Sequence, residues 1–265
     1  LVIVKDAASG AVDWALFQNY TKEPGAIPEL VFAMYQCMFA MITVAGSEGV
    51  VAYGVARMLM GIAFSLGLLL VVLAGAQLFT SDCLMVMGWA GGRLGFGRVM
   101  RVWSTVWLGN LVGGIAFALL LFLAGNYMSG KGEVGATALY FASYKASLPV
   151  GKAFFMGILC NVLVSLAAYL ALAGRTLTDK VLAIIFPISA FIAAGFEHCV
   201  ANMYFLPMGA VMHACGYGAD VAGADALNAA GIAFNLSAAT LGNIVGGAVL
   251  IALGYWFIYA KKSEA

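Results

Sequence analysis

The seven residues Leu108-Gly109-Asn110-Leu111-Val112-Gly113-Gly114 recur as Leu241-Gly242-Asn243-Ile244-Val245-Gly246-Gly247, and each copy sits inside a long apolar run. One Leu/Ile exchange separates them. Matching spans in a membrane chain read as two related halves about a pseudo-two-fold axis. Such halves place a solute site near the bilayer midplane, where helices are interrupted. Gly-rich faces also recur in membrane helix packing for steric reasons alone, but seven matched positions go beyond a small-xxx-small pattern.

Composition restricts the solvent these halves fold in. Hydrophobic residues make up 64% of the chain and charged residues 9%, against about 25% charge in soluble domains. Mean hydropathy is +1.00. The apolar runs are long and helical in period rather than short and alternating, which argues for a helical bundle over a barrel. A net charge of +1 gives no reason to expect nucleic acid as a partner. Cys37, Cys83, Cys160, Cys199 and Cys215 lack CxxC spacing and read as packed thiols, with neither a disulfide nor zinc implied. The first residues are mixed and polar, so no cleavable signal peptide is expected.

A spanning helix needs about 20 apolar residues. Six spans are predicted, near 29–46, 52–79, 102–124, 153–174, 181–197 and 236–260. Residues 1–27 form a polar N-terminal segment and 28–265 one six-helix transmembrane domain. Two spans are followed by short apolar stretches, Cys83 to Ala90 and Cys199 to Met212, which read as second halves of broken helices. The fold expected is thus all-α and membrane-integral, an inverted repeat of three plus three helices with the second and fifth broken. Arg93, Arg98, Arg101, Arg175, Lys180, Lys261 and Lys262 fall on one side, and Lys131, Lys145 and Lys152 on the other. Positive-inside bias then puts both termini in the cytoplasm, with the loops 125–152 and 214–235 outside.

Each break carries polar residues where polar residues are costly. In the second span Thr80, Ser81 and Asp82 interrupt the apolar run; in the fifth, Glu197, His198 and Asn202 do. Backbone groups freed at a break must line a protein cavity, since lipid offers no partners. Ionisable groups at membrane depth mark function by default. For Asp82 and Glu197 the expectation is plainer: each caps backbone N–H groups at its own break. His198 is different, because an imidazole at such a break can donate a hydrogen bond or relay a proton to an anion. A core histidine with both nitrogens satisfied is the competing reading. No metal triad, nucleophile–base pair or cofactor motif is evident, so neither an enzyme nor a cofactor is expected.

Gly75-Ala76-Gln77-Leu78-Phe79-Thr80, Gly157-Ile158-Leu159-Cys160-Asn161, Gly195-Phe196-Glu197-His198 with Ala201-Asn202, and both Leu-Gly-Asn phrases resemble the motifs of the formate/nitrite transporter family, which includes hydrosulfide channels. The resemblance runs from about Val44 to the C-terminus. It implies an aquaporin-like six-helix fold, homopentamers with one pore per protomer, and a bacterial or archaeal cytoplasmic (inner) membrane location. It implies that Thr80 and His198 form the central polar pair. Leu78, Phe79 and Phe191 would form an inner apolar constriction, Phe64 and Leu68 an outer one. Lys145 would sit at the outer vestibule and concentrate anions; Asn161, Asn202 and Asn243 would be asparagines of the pore region. Gln77 stands where the family commonly has an acid, and Ser165 where it often has Cys.

Residues 24–43 resemble instead the third helix of ammonium transporters, with Phe39 matching a gate phenylalanine, which suggests a chimeric N-terminus joined near Thr43/Val44. The bulky residues there predict poorer packing than a small-residue first span would give. The function expected is a pentameric channel or proton-coupled transporter for small monovalent anions, formate first. Nitrite or hydrosulfide is the alternative, and an ammonium channel is suggested by the N-terminal segment alone.

Overall fold

The computed structural model describes residues 52–218 and 220–260. The expected first span at 29–46, the segment 1–27, Phe39 and the junction near residue 43 lie outside the described residues. Among the described residues, five helices are long and apolar enough to cross a membrane. They are α1 (Tyr53–Ala74), α4 (Phe96–Leu123), α6 (Val150–Ala173), α7 (Leu177–Ala194) and α9 (Ala229–Ile244), the last continued by π-helical turns over Val245–Leu253. These correspond to the second through sixth predicted spans. Several begin before their apolar runs: α4 starts at Phe96 rather than 102, and α9 at Ala229 rather than 236. First turns carrying Arg98, Arg101 or Lys180 are helical without being apolar, because long basic side chains reach back to the interface.

Local sequence sets these boundaries. Thr176 and Asp179 form a reciprocal capping box that starts α7. Asn228 accepts from the N–H groups of Ala230 and Gly231 and starts α9. The region 125–152, read from sequence as a loop, contains the helix α5 (Glu133–Ala146). At 14 residues it is too short to span, about 21 Å at 1.5 Å per residue. Its small residues Gly135 and Ala142 let it lie close against α8 (Cys199–Ala214), whose Met212 and Gly209 face them.

Both broken helices are present, and in the second span the break lies a few residues earlier than the polar residues suggested. α1 ends at Gly75, which takes a left-handed backbone with φ 76°. The chain then runs extended to Leu78 and resumes as the short helices α2 (Phe79–Asp82) and α3 (Met85–Ala90). α7 ends in the same way at Gly195, φ 74°, and resumes after His198 as α8. Glycine is the residue that adopts this conformation without strain. Thr80, Ser81 and Asp82 are therefore the first turn of the resumed helix, not the break itself. α1 and α7 run antiparallel in contact: Gly61 meets Ser189, and Arg57 reaches the carbonyls of Ile192 and Ala193.

Candidate functional site: a polar pair between two helix breaks

The repeated phrase has the same task in both halves. Asn110 Oδ1 accepts from Phe79 N–H at 3.1 Å and its amide donates to Gln77 O at 3.4 Å. Asn243 Oδ1 accepts from Cys199 N–H at 2.9 Å and its amide donates to Glu197 O at 3.0 Å. Phe79 and Cys199 are the first helical residues after their breaks. Each asparagine thus holds a donor and an acceptor that the break would otherwise orphan. Asn243 also donates to Gly157 O at 2.8 Å, which ties the second break to α6. The phrase's last glycines allow close approach across the halves: a side chain at Gly114 would collide with Met203 of α8, and one at Gly247 with Asn161, Ser165 and Cys83.

These clasps bring the two resumed helices together at Thr80 and His198. Thr80 Oγ1 lies 3.1 Å from His198 Nε2, and both residues are buried. His198 Nδ1 accepts from Ala201 N–H at 3.1 Å. A ring nitrogen that accepts carries no proton, so the neutral ring holds its proton on Nε2 and presents it toward Thr80. Asn161 fixes the partner by donating to Thr80 O at 3.1 Å and to Asn243 O at 2.7 Å. The N–H groups of Phe79 and Cys199 are already taken by asparagines. Between the two clasps stands the hydroxyl–imidazole pair.

Aromatic rings enclose one side of this pair. Phe64 and Phe191 meet edge to face at 5.3 Å, and His198 stacks on Phe191 at 5.9 Å. Phe191 was expected beside Leu78 and Phe79; its ring contact across the bundle is with Phe64 of α1, brought level by the antiparallel contact of α1 with α7. Leu68, Leu78 and Phe79 are buried as well, and Phe79 sits edge-on to Trp103 at 5.9 Å. A cavity of about 60 Å³ lies between the rings and His198, lined also by Lys145 and Arg57. It has room for a molecule of only a few heavy atoms.

Neither carboxyl at the breaks caps backbone. Glu197 Oε1 accepts from Lys145 Nζ at 2.7 Å, and its Oε2 accepts from Asn202 at 2.7 Å and Asn235 at 3.2 Å. Its depth made a cap insufficient: a buried carboxylate requires a cation and full hydrogen bonding. Asn235 in turn donates to Lys145 O at 2.9 Å, so the helix bearing the lysine is held to the same network. Lys145 is 9% exposed and committed to this pair, not an open vestibule charge. Asp82 faces Gln77, whose amide nitrogen, in the orientation that satisfies both groups, donates to both Asp82 oxygens at 3.1 Å. Gln77 and Asp82 hold the same places after Gly75 as Glu197 and Asn202 do after Gly195. Each break therefore has one carboxyl bonded to one amide, with the positions exchanged. The acid missing at Gln77 reappears five residues on.

Asn110, Asn235, Glu197 and Arg57 belong to this assembly and were not among the expected site residues. The phrase itself pointed to Asn110, as the counterpart of Asn243. Arg57 was signalled by being a charge inside an apolar span.

The family model for the formate/nitrite transporter matches residues 31–257. The formate channel FocA of Escherichia coli is 37% identical over 254 residues, covering 91% of this chain and 85% of that protein. The chain belongs to the formate/nitrite transporter family. The nitrite transporter NirC of Salmonella typhimurium is 36% identical over 209 residues, 78% of this chain and 73% of that one. A solved structure described as a pentameric formate channel with formate bound superposes with a TM-score of 0.73 at 33% identity, covering 92% of this chain and 98% of that one. This is a family of channels and transporters rather than enzymes, and the chain is a multi-pass membrane protein. The family match takes in residues 31–43, most of the segment likened to an ammonium-transporter helix. That likeness gains no support, and an ammonium channel is not proposed.

The ion pair makes a stability prediction. Lys145→Met should destabilise the protein by about 3–5 kcal/mol, because it leaves the Glu197 carboxylate buried without a cation. Adding Glu197→Gln should recover most of the loss. Thermal unfolding of the purified variants reads both; additive losses in the double variant would mean the pair does not act as a unit.

Proposed function

We propose that this chain forms a homopentameric channel or proton-coupled transporter for small monovalent anions, with formate as the first substrate and nitrite or hydrosulfide as its congeners. The observation that carries the reading is the buried Thr80–His198 pair at 3.1 Å, set where two helix breaks meet behind aromatic rings. Supporting it are the family membership and the small cavity of about 60 Å³. The six-helix inverted repeat, with a first span ahead of Tyr53 and both termini cytoplasmic, is part of this reading, as is the division into 1–27 and 28–265. It draws on the matched breaks and on the distribution of basic residues.

In this account Leu78 and Phe79 form the inner constriction and Phe64 and Leu68 the outer one, with Phe191 meeting Phe64. A hydrated ion cannot cross such rings, because stripping its water in apolar surroundings is costly. A weak acid's anion, once desolvated, gains affinity for a proton. At the pair it meets the Nε2 proton of His198 and the Thr80 hydroxyl. The Nε2–H and the hydroxyl hold the anion while a proton arrives from the solution through water at the pair; the substrate leaves as the neutral acid and the ring ends neutral as it began. Asn161 and Asn243 keep the pair in register, and Asn202 holds Glu197 and through it Lys145.

Uptake of labelled formate by proteoliposomes tests the assignment. Nitrite and hydrosulfide should compete, and ammonium should not. Competition by ammonium alone would refute it. The constriction makes a separate prediction: Phe191→Ala should raise leak of small anions and broaden size selectivity, since it removes the ring that meets both Phe64 and His198. Selectivity equal to the parent's would show that Phe191 packs in the bundle without guarding the path.

A further inference from the structure

Lys145 was the basic residue expected to draw anions, yet its charge is spent on Glu197 at 2.7 Å. A second cation lies on the same approach. Arg57, on the second turn of α1, lines both the small cavity beside His198 and a larger one of about 670 Å³. The larger cavity also presents Thr137, Tyr140 and Tyr144, and among the described residues no acidic one lines either cavity. Arg57 Nε donates to Ala193 O at 3.2 Å, and Nη2 donates to Ile192 O. These are last-turn carbonyls of α7, which attract a cation through the helix dipole. They fix the guanidinium plane, but being neutral they do not cancel its charge. A guanidinium has five donors, and these bonds use two of them.

We infer that Arg57 is an anion-capture site: it binds a small carboxylate or similar oxyanion in the larger cavity before the anion passes Phe64 and Phe191 to His198. The inference rests on the proposed anion transport and adds the residue that selects for charge. A planar guanidinium held at one edge offers its free edge to a carboxylate in forked geometry, which a lysine matches only as a point charge. The positive field at the entrance raises the local anion concentration, and added salt weakens it.

The test uses proteoliposomes of the full chain and of Arg57→Gln and Arg57→Lys. Formate uptake is measured against concentration, with and without added choline sulfate. Arg57→Gln should raise the half-saturating formate roughly fivefold, the upper scale of one lost charge–charge contact in a partly exposed site. Its maximal rate should change little, and its uptake should lose most of the salt sensitivity. Arg57→Lys should restore the salt sensitivity and part of the affinity. A Gln variant with the parent's half-saturation and salt response overturns the proposal. So do variants that melt lower with unchanged kinetics, since they would show that Arg57 only caps α7. If Arg57→Gln does not assemble, phenylglyoxal modification of the parent decides. Formate should slow modification of Arg57, read by peptide mass spectrometry, and leave Arg93 unaffected; equal rates with and without formate overturn the site. A parent that moves no formate while Arg57 is still protected would refute transport and leave capture standing.

Discussion

Asn243→Leu should be among the most damaging single substitutions in this protein. Leucine keeps the size of the side chain but drops three hydrogen bonds to buried backbone, those with Cys199 N–H, Gly157 O and Glu197 O. Each buried group left without a partner costs about 1–3 kcal/mol, and no water at this depth replaces the loss. The equivalent Asn110→Leu orphans Phe79 N–H and Gln77 O among others and should also destabilise the protein. Thermal unfolding of the two variants beside the parent reads both. A parent-like melting temperature for either variant would contradict the clasp account.

His198→Phe should reduce pH-driven formate uptake to the rate of empty liposomes while the protein still assembles. Phenylalanine preserves the stack on Phe191, whose centroid lies 5.9 Å from the imidazole. It removes the proton facing Thr80 and the acceptor for Ala201 N–H. The second loss costs about 1–3 kcal/mol in stability, so the variant should melt lower but remain folded. The first removes the donor that holds the anion while it is protonated. Uptake with the parent's pH dependence would take His198 out of the mechanism, and failure to assemble would assign it a structural role.

The breaks and the polar pair were legible because they violate a simple expectation: polar residues and glycines interrupt runs that are otherwise apolar. Thr80 and His198 stand out for that reason, and the repeat singles out Asn243. Other features depend on contacts that no local pattern encodes. Lys145 looks like a loop charge until α5 is seen to carry it against Glu197. α5 itself was missed because small residues that pack against α8 and a modest apolar content look like a loop. The contact of Phe191 with Phe64 was not foreseen because it depends on how α1 and α7 are aligned. The shift of the second span's break to Gly75 has a local cause, the left-handed backbone that glycine adopts. That cause was present in the sequence and outweighed there by the more conspicuous polar residues.

The measurement closest to the central claim is formate entry into sealed liposomes bearing the purified protein, with interior pH recorded by a trapped dye. The account predicts saturable entry accompanied by interior acidification beyond that of empty liposomes, and loss of both with His198→Phe. Formate entry that leaves interior pH unchanged, or acidification that survives the His198 substitution, would contradict protonation at the Thr80–His198 pair.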